Sequence, residues 1–367
     1  MKYLNILLLI CLMFATLNAQ NNIKVPIKAI GIPLADHYAA IVAYEKYKDE
    51  MKIADYSFIL LPGPNLVRAY FYSEDDADIA FNVSPMVMDM FAEKQNFKWV
   101  SLIHRDGNAL AINSLMNEKV KLNPDKTLRK PDSKVTDAID KYNKKHERNI
   151  EFAIPSTLAT HATILYKYLK DNGKTMGFSR DADVILNIVK PPLSPAYLKK
   201  KSTLIKPAAF EQSLPWTEVT ETKGYGHTAW YSKDVLKHPN GHVECIIIAK
   251  DEVIKNKRDA LKEVIYYIHK AGKDIENARI KSAEEFNKII KMIRKHIPKH
   301  TKEAIIESLR PDIMAINYKN LNVDKESKES FKEIMDLAYE AGFIKKKIDI
   351  DALADESFST EITKSVR

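Results

Sequence analysis

The chain has almost no cysteine. Of the two present, Cys11 lies in an apolar leader, which leaves Cys245 alone in the body of the protein. A single thiol cannot form an internal disulfide, so the core must hold the fold. Cys245 opens an apolar run to Ala249 and reads as a buried thiol packing as a small hydrophobe, not as a nucleophile. Glycine is also scarce, at 10 in 367 residues. There is no GxxxxGK(S/T) loop and no GxGxxG after the first strand, so the usual phosphate and dinucleotide cradles are missing. GxSxG, HExxH and paired cysteines are absent, which removes the serine elbow, the metalloprotease helix and structural zinc. The 10 histidines are dispersed and the carboxylates unclustered, so neither a metal nor a cofactor is expected. No basic stripe is interleaved with aromatics, as a nucleic-acid surface requires, and the net charge of +8 sits on scattered lysines beside Glu and Asp. Beyond the leader, no apolar run is long enough to span a bilayer.

What is present begins with that leader. Met1–Ala19 has Lys2 at its start, an apolar stretch from Leu4 to Phe14 and a small residue at its end. It reads as a secretory signal cleaved near Ala19. Lipidation at Cys11 is disfavoured by the bulk of Ile10. Export to the periplasm is the expectation. Strands and helices then alternate. Strands are expected at Ile23–Ile32, Tyr56–Leu61, Asp78–Phe81 and Phe97–Ile103, with helices at Ala39–Lys48, Leu66–Tyr72 and Met86–Glu93. That alternation implies a parallel sheet, whose ligands gather outside the carboxyl ends of its strands. A charged stretch, residues 115–149, carries Pro124 and Pro131 and reads as a solvated excursion with one helix over Val135–Tyr142. The alternation restarts at Phe152 and ends in amphipathic helices over Asp251–Asn277, Ala283–His296, Lys302–Leu309 and Lys325–Ala341.

Ile150 to Gly173 organises the second half. The strand Phe152–Ile154 breaks at Pro155 into Ser156-Thr157, and a helix follows with His161 in its first turns. Free N–H groups and the dipole at a helix start favour an anion. His161 shares a face with Leu158, Leu165 and Leu169, which fits a core histidine as well as a ligand donor. Ser84 and Thr160 can cap helices and still face a ligand. Asn108 fits a turn or a binding amide, and Trp216 fits a core ring or a pocket wall. Asp36 and His37 follow the first strand. Arg105 can grip a planar oxyanion or form a surface salt bridge.

Several stretches together resemble the periplasmic binding proteins of the nitrate, bicarbonate, sulfonate and taurine ABC importers, the nitrate/bicarbonate branch above all. Val83-Ser84-Pro85-Met86 resembles that family's SPMP loop, and His104 to Leu110 its LNVNGQGI stretch. Phe152 to Tyr168, with Thr160-His161, resembles its FP…TH…YW segment. Val189 to Pro192, Phe210 to Trp216 and Gly224 to His238 follow in family order, and the resemblance covers about Ile27 to Phe358. It implies an α/β type II binding protein with two doubly wound βα lobes, a hinge and a helical C-terminal region. The lobes are expected at residues 22–112 and 113–240, with 241–360 returning to the first. The implied function is capture of a small anion by a monomer and delivery to an ABC permease and ATPase, without catalysis. The same fold serves sensors and, less closely, pyrimidine-precursor proteins. The ligand residues expected are Asp36, His37, Ser84, Pro85, Asn108, Ser156, Thr157, Thr160, His161, Glu211 and Trp216. Two positions depart from the family. Its calcium-linked Glu falls on Leu214, and the Gln of its NGQG falls on Asn108.

Overall fold

The computed structural model describes residues 23–73, 77–146 and 149–365. The leader expected at Met1–Ala19 lies outside these residues. In chain order the strands are β1 (Val25–Gly31), β2 (Ala54–Leu60), β3 (Ile79–Val83), β4 (Phe97–Asp106), β5 (Asn108–Ile112), β6 (Ile150–Ile154), β7 (Met176–Gly177), β8 (Val184–Ile188), β9 (Ala208–Ser213), β10 (His227–Tyr231), β11 (Val243–Lys250) and β12 (Ile316–Asn317). They form two six-stranded sheets, β12-β4-β11-β3-β1-β2 and β10-β5-β9-β6-β8-β7.

The expectation of a purely parallel sheet needs correction. β1 pairs parallel with β2 and β3, and β6 with β8 and β9, but β11 is antiparallel to both its neighbours. β5 is likewise antiparallel to β9 and β10. Connectivity explains this. The strands that feed helices run toward the cleft between the sheets. The chain crosses at the cleft end, so the first strand after each crossing, β5 and then β11, must run away from it.

The first crossing is Asp106-Gly107, where both residues adopt positive φ, +58° and +101°. Such a φ is uncommon for a residue with a Cβ, so Asp106 must be held by its surroundings. Its carboxylate accepts from the backbone N–H of His242 at 2.9 Å and from the Asn317 amide at 2.9 Å, which ties it to the second crossing. Gly241 stands so close that an added Cβ would lie 2.2 Å from Asp106 Oδ2. Burial, opposed by these donors and by Arg105, raises the Asp106 carboxyl to about 7.

Helices cover the sheets by their apolar stripes. The Arg258–Lys281 helix buries Leu261, Val264, Ile265, Ile268 and Ile275, a helical period, against the Tyr38–Tyr47 helix. The single helix expected over Asp251–Asn277 is interrupted at Lys257, between Asp251–Asn256 and Arg258–Lys281. The charged excursion contains helices Ser114–Val120 and Lys134–His146, and the latter buries Val135, Ala138 and Ile139. The Lys325–Glu340 helix is anchored by Phe331, whose ring stacks on Trp99 of β4 at 5.0 Å. The halves meet directly. Ala35 N–H donates to the Leu214 carbonyl at 2.9 Å, and Trp216 meets His300 edge-on at 5.0 Å.

Candidate functional site

Both sheets deliver polar side chains to the cleft end. From the first come Asp36, in a short 3-10 helix after β1, His104 near the end of β4 and Glu244 near the start of β11. From the second come Asn108 at the start of β5, Glu211 and Ser213 on β9, and Thr160 and His161 at the start of the Thr160–Asp171 helix. All eight are buried. Alternation along β9 puts Glu211 and Ser213 on one face and sends Gln212 to the Val189 carbonyl on the other.

The cluster is linked by one chain of contacts. His161 Nε2 lies 2.7 Å from Ser213 Oγ. The Ser213 hydroxyl donates to Asp36 Oδ2 at 3.3 Å, and His104 Nε2 lies 3.7 Å from that oxygen. If the serine proton goes to Asp36, His161 Nε2 must carry the proton given to Ser213, leaving Nδ1 an acceptor. That Nδ1 faces Glu244 Oε1 at 3.9 Å.

The cluster is only partly satisfied. Asp36 Oδ1, His161 Nδ1 and both oxygens of Glu211 are buried without a hydrogen-bond partner among the described residues, whereas His104 interacts with Asp36, and Asn108 and Thr160 with Glu244. A buried polar atom left unpaired costs about 1–3 kcal/mol, so four in one place mark a site built for something other than stability.

The electrostatics are acidic. Burial alone would raise Asp36, but the charge and hydrogen bond of His104, then His37 and His161, hold it below the usual carboxylate range. Burial pushes Glu211 well up, and Glu244 and Asp36 add to the effect. Glu244 is raised well above the ordinary value by burial and by Asp36, against the pull of Asn108 and Thr160. Burial lowers His161 to about 4, so its imidazole is neutral at pH 7. Among the described residues, no lysine or arginine pairs with Asp36, Glu211 or Glu244.

The expected site residues divide into two groups. Asp36, Asn108, Thr160, His161 and Glu211 converge in the cluster. Trp216 stands beside it with its buried indole N–H unpaired and its ring against His300. The others face elsewhere or serve locally. His37 is engaged at Nδ1 by Ile32 and at Nε2 by Cys245 Sγ, 3.3 Å away. Ser84 donates to the Glu244 carbonyl at 2.9 Å, and Pro85 is buried in the first turn of the Ser84–Glu93 helix. Ser156 and Thr157 are half-buried in the loop before the Thr160 helix, where Ser156 Oγ accepts from Leu158 N–H at 3.2 Å. That helix starts two residues later than Leu158, and it ends at Asp171 with Gly173 just beyond in the left-handed region. Arg105 reaches the part-exposed Glu326 at 4.0 Å, in line with the salt-bridge reading. It is buried, and it donates to the carbonyls of Asn320 and Gly241.

Sequence reasoning missed His104, Ser213 and Glu244. Glu244 had a visible sign, a carboxylate inside the otherwise apolar run Val243 to Ala249. His104 had none, since periodicity cannot tell a strand histidine in a core from one in a cleft.

The profile of the NMT1-like family matches residues 25–291. Among solved structures, the chain is similar to the periplasmic nitrate-binding protein NrtA from Synechocystis PCC 6803, with 16% identity over 94% of this chain and 90% of that one and a TM-score of 0.71. It is similar to the ligand-binding component of an ABC-type import system from Staphylococcus aureus with zinc bound, at 18% identity over 92% and 99% of the two chains and a TM-score of 0.67. It is also similar to the periplasmic aliphatic sulphonate binding protein SsuA from Escherichia coli, at 13% identity, 90% and 92% coverage and a TM-score of 0.61. No curated protein matches the sequence. At these identities the shared property is the fold, that of the periplasmic binding proteins.

Proposed function

Because the chain belongs to the NMT1-like family, we propose that it is an extracytoplasmic solute-binding protein that closes two lobes over a small polar solute and delivers it to an ABC importer. One observation carries the reading. Polar atoms from both sheets converge, buried and unpaired, where a molecule between the sheets would meet them all. The binding-protein fold and the expected leader support export, and the protein acts as a monomer beside a permease and an ATPase. We read it as binding without turnover: the one thiol among the described residues, Cys245, is buried and pushed well above its ordinary pKa by burial.

The solute is not fixed by the neighbours. Zinc does not fit, since no three His, Cys, Asp or Glu among the described residues are placed to hold a metal ion. The small anion implied by the family resemblance finds two helix starts here, at Ser84 and Thr160, but also three carboxylates. Small-angle scattering and mass spectrometry on the purified protein test the reading. A bound solute should compact the protein and be recovered unchanged after denaturation. Catalytic consumption of the solute, or no solute-dependent change with any candidate, would sink it.

A further inference from the structure

The unpaired atoms of the cleft are mostly acceptors. Asp36 Oδ1 and both oxygens of Glu211 are joined by His161 Nδ1, which the hydrogen-bond chain through Ser213 leaves as an acceptor. The donors facing them are few and neutral or shared, namely the Asn108 amide and the Thr160 hydroxyl, with His104 already beside Asp36. Arg105, the nearest arginine in sequence, turns Nε and Nη1 to the Asn320 and Gly241 carbonyls and lies 4.0 Å from Glu326, away from these carboxyls, with none of which it pairs. An oxyanion placed here would face three carboxyls without a cationic clamp. Its attraction would come from a few neutral donors and from helix starts that the protein's own carboxyls already oppose.

We propose that the solute is a small organic cation bearing N–H donors, of the amine, amidine or guanidine class, bridging Asp36 and Glu244 on the first sheet to Glu211 on the second. This rests on the solute-binding reading above. The division of carboxylates between the sheets matters. A cation between them gives Asp36, Glu244 and Glu211 a common partner and draws the lobes shut, so binding and closure become one event. The bare metal alternative lacks the clustered donors such an ion needs. A fork of N–H groups instead matches carboxylates that stand apart on two walls. Because burial raises Glu211 and Glu244 above the usual carboxylate range, a cation that favours their ionised forms draws protons off them as it binds.

The test is a thermal-shift and calorimetric comparison of the purified protein with ethanolamine, putrescine, acetamidine, methylguanidine and agmatine against nitrate, bicarbonate and methanesulfonate at equal concentration. At least one cation should stabilise the protein where the oxyanions do not. Its calorimetric heat should vary with buffer ionisation enthalpy in the sense of proton release. Glu211→Gln and Glu244→Gln should each weaken it at least tenfold while melting no lower than the parent. An oxyanion response alone, or proton uptake with a binding cation, overturns the ligand class and leaves the solute-binding reading standing. Silence from both classes overturns both.

Discussion

Two buried groups of carboxylates, one on each side of the Leu214–Trp216 corner, are opposites. In the first, Glu218 is as buried as any residue in the protein, yet it accepts from Lys126 Nζ at 2.6 Å and from the Tyr231 hydroxyl at 2.8 Å. Lys126 also reaches Glu307 at 2.8 Å, and Arg129 donates to both oxygens of Glu221 and to the Thr228 carbonyl. Burial works against Glu221, but His227, Lys126 and Arg129 hold it down to about 2. In the second group, Glu211 and Glu244 are equally buried, neither meets a lysine or arginine among the described residues, and both oxygens of Glu211 lack a partner there. The same residue type in the same degree of burial is therefore structural in one place and, in our proposal, receptive in the other. The difference lies in whether the protein supplies the partner itself.

The contrast can be broken most forcefully at Lys126. Lys126→Met strands Glu218 without its cation, and a buried pair broken at one end costs about 3–5 kcal/mol. Denaturant unfolding should show that loss, and a cost below about 1 kcal/mol would erase the distinction. In the receptive group, His161→Ala should weaken solute binding at least tenfold, about 1.4 kcal/mol by calorimetry. Unchanged affinity would remove His161 from the site. Glu211→Gln, which retires a buried carboxyl that has no partner, should leave the ligand-free protein more stable by about 1 kcal/mol in urea unfolding. A loss of stability there would mean a partner has been overlooked. At the low end, Ser156→Ala should shift solute affinity by less than about 0.5 kcal/mol, since Ser156 only closes a local turn.

The same contrast predicts a pH dependence. Glu211 and Glu244 have folded-state pKa values above their unfolded 4.5, so the folded protein binds more protons. Their contribution is fully present below 4.5 and is lost as pH rises through the folded values. Asp106, raised from 3.8 to about 7, acts in the same sense up to that pH. Buried His37 and His161, each lowered from 6.5 to about 4, and His242, lowered to about 3, act oppositely and only below 6.5. Between pH 7 and 9 the histidines are silent. As pH rises above 4.5, the ligand-free protein should therefore lose stability relative to the Glu211→Gln/Glu244→Gln double variant. Parallel curves for the two proteins would exclude the raised carboxyls.

Much of this was legible in the sequence for a physical reason. Alternation of short apolar runs with amphipathic helices fixes the two βα layers, and Gly173 marks a helix end because its φ of +67° suits no Cβ. Thr160 and His161 could be placed at the buried polar cluster because they start a helix after a strand. Strand direction was not legible, since β11 looks like any apolar strand until its neighbours are known. Nor was side-chain direction. His37 follows Asp36 directly, yet one faces Cys245 and the other the cleft. Glu244 acquires meaning only when the fold brings it to His161 from across the cleft.

The strand order β12-β4-β11-β3-β1-β2 carries one more consequence, for how the chain comes into being. β1 to β4 are synthesised first, but β3 and β4 are not neighbours. The strand that belongs between them, β11, emerges only after every strand of the other sheet. The half that is born first is thus finished last. Until β11 arrives, β3 and β4 each present an open edge, the kind that invites wrong pairing. The second sheet, drawn from one continuous run of chain, can assemble while the first still waits for its centre.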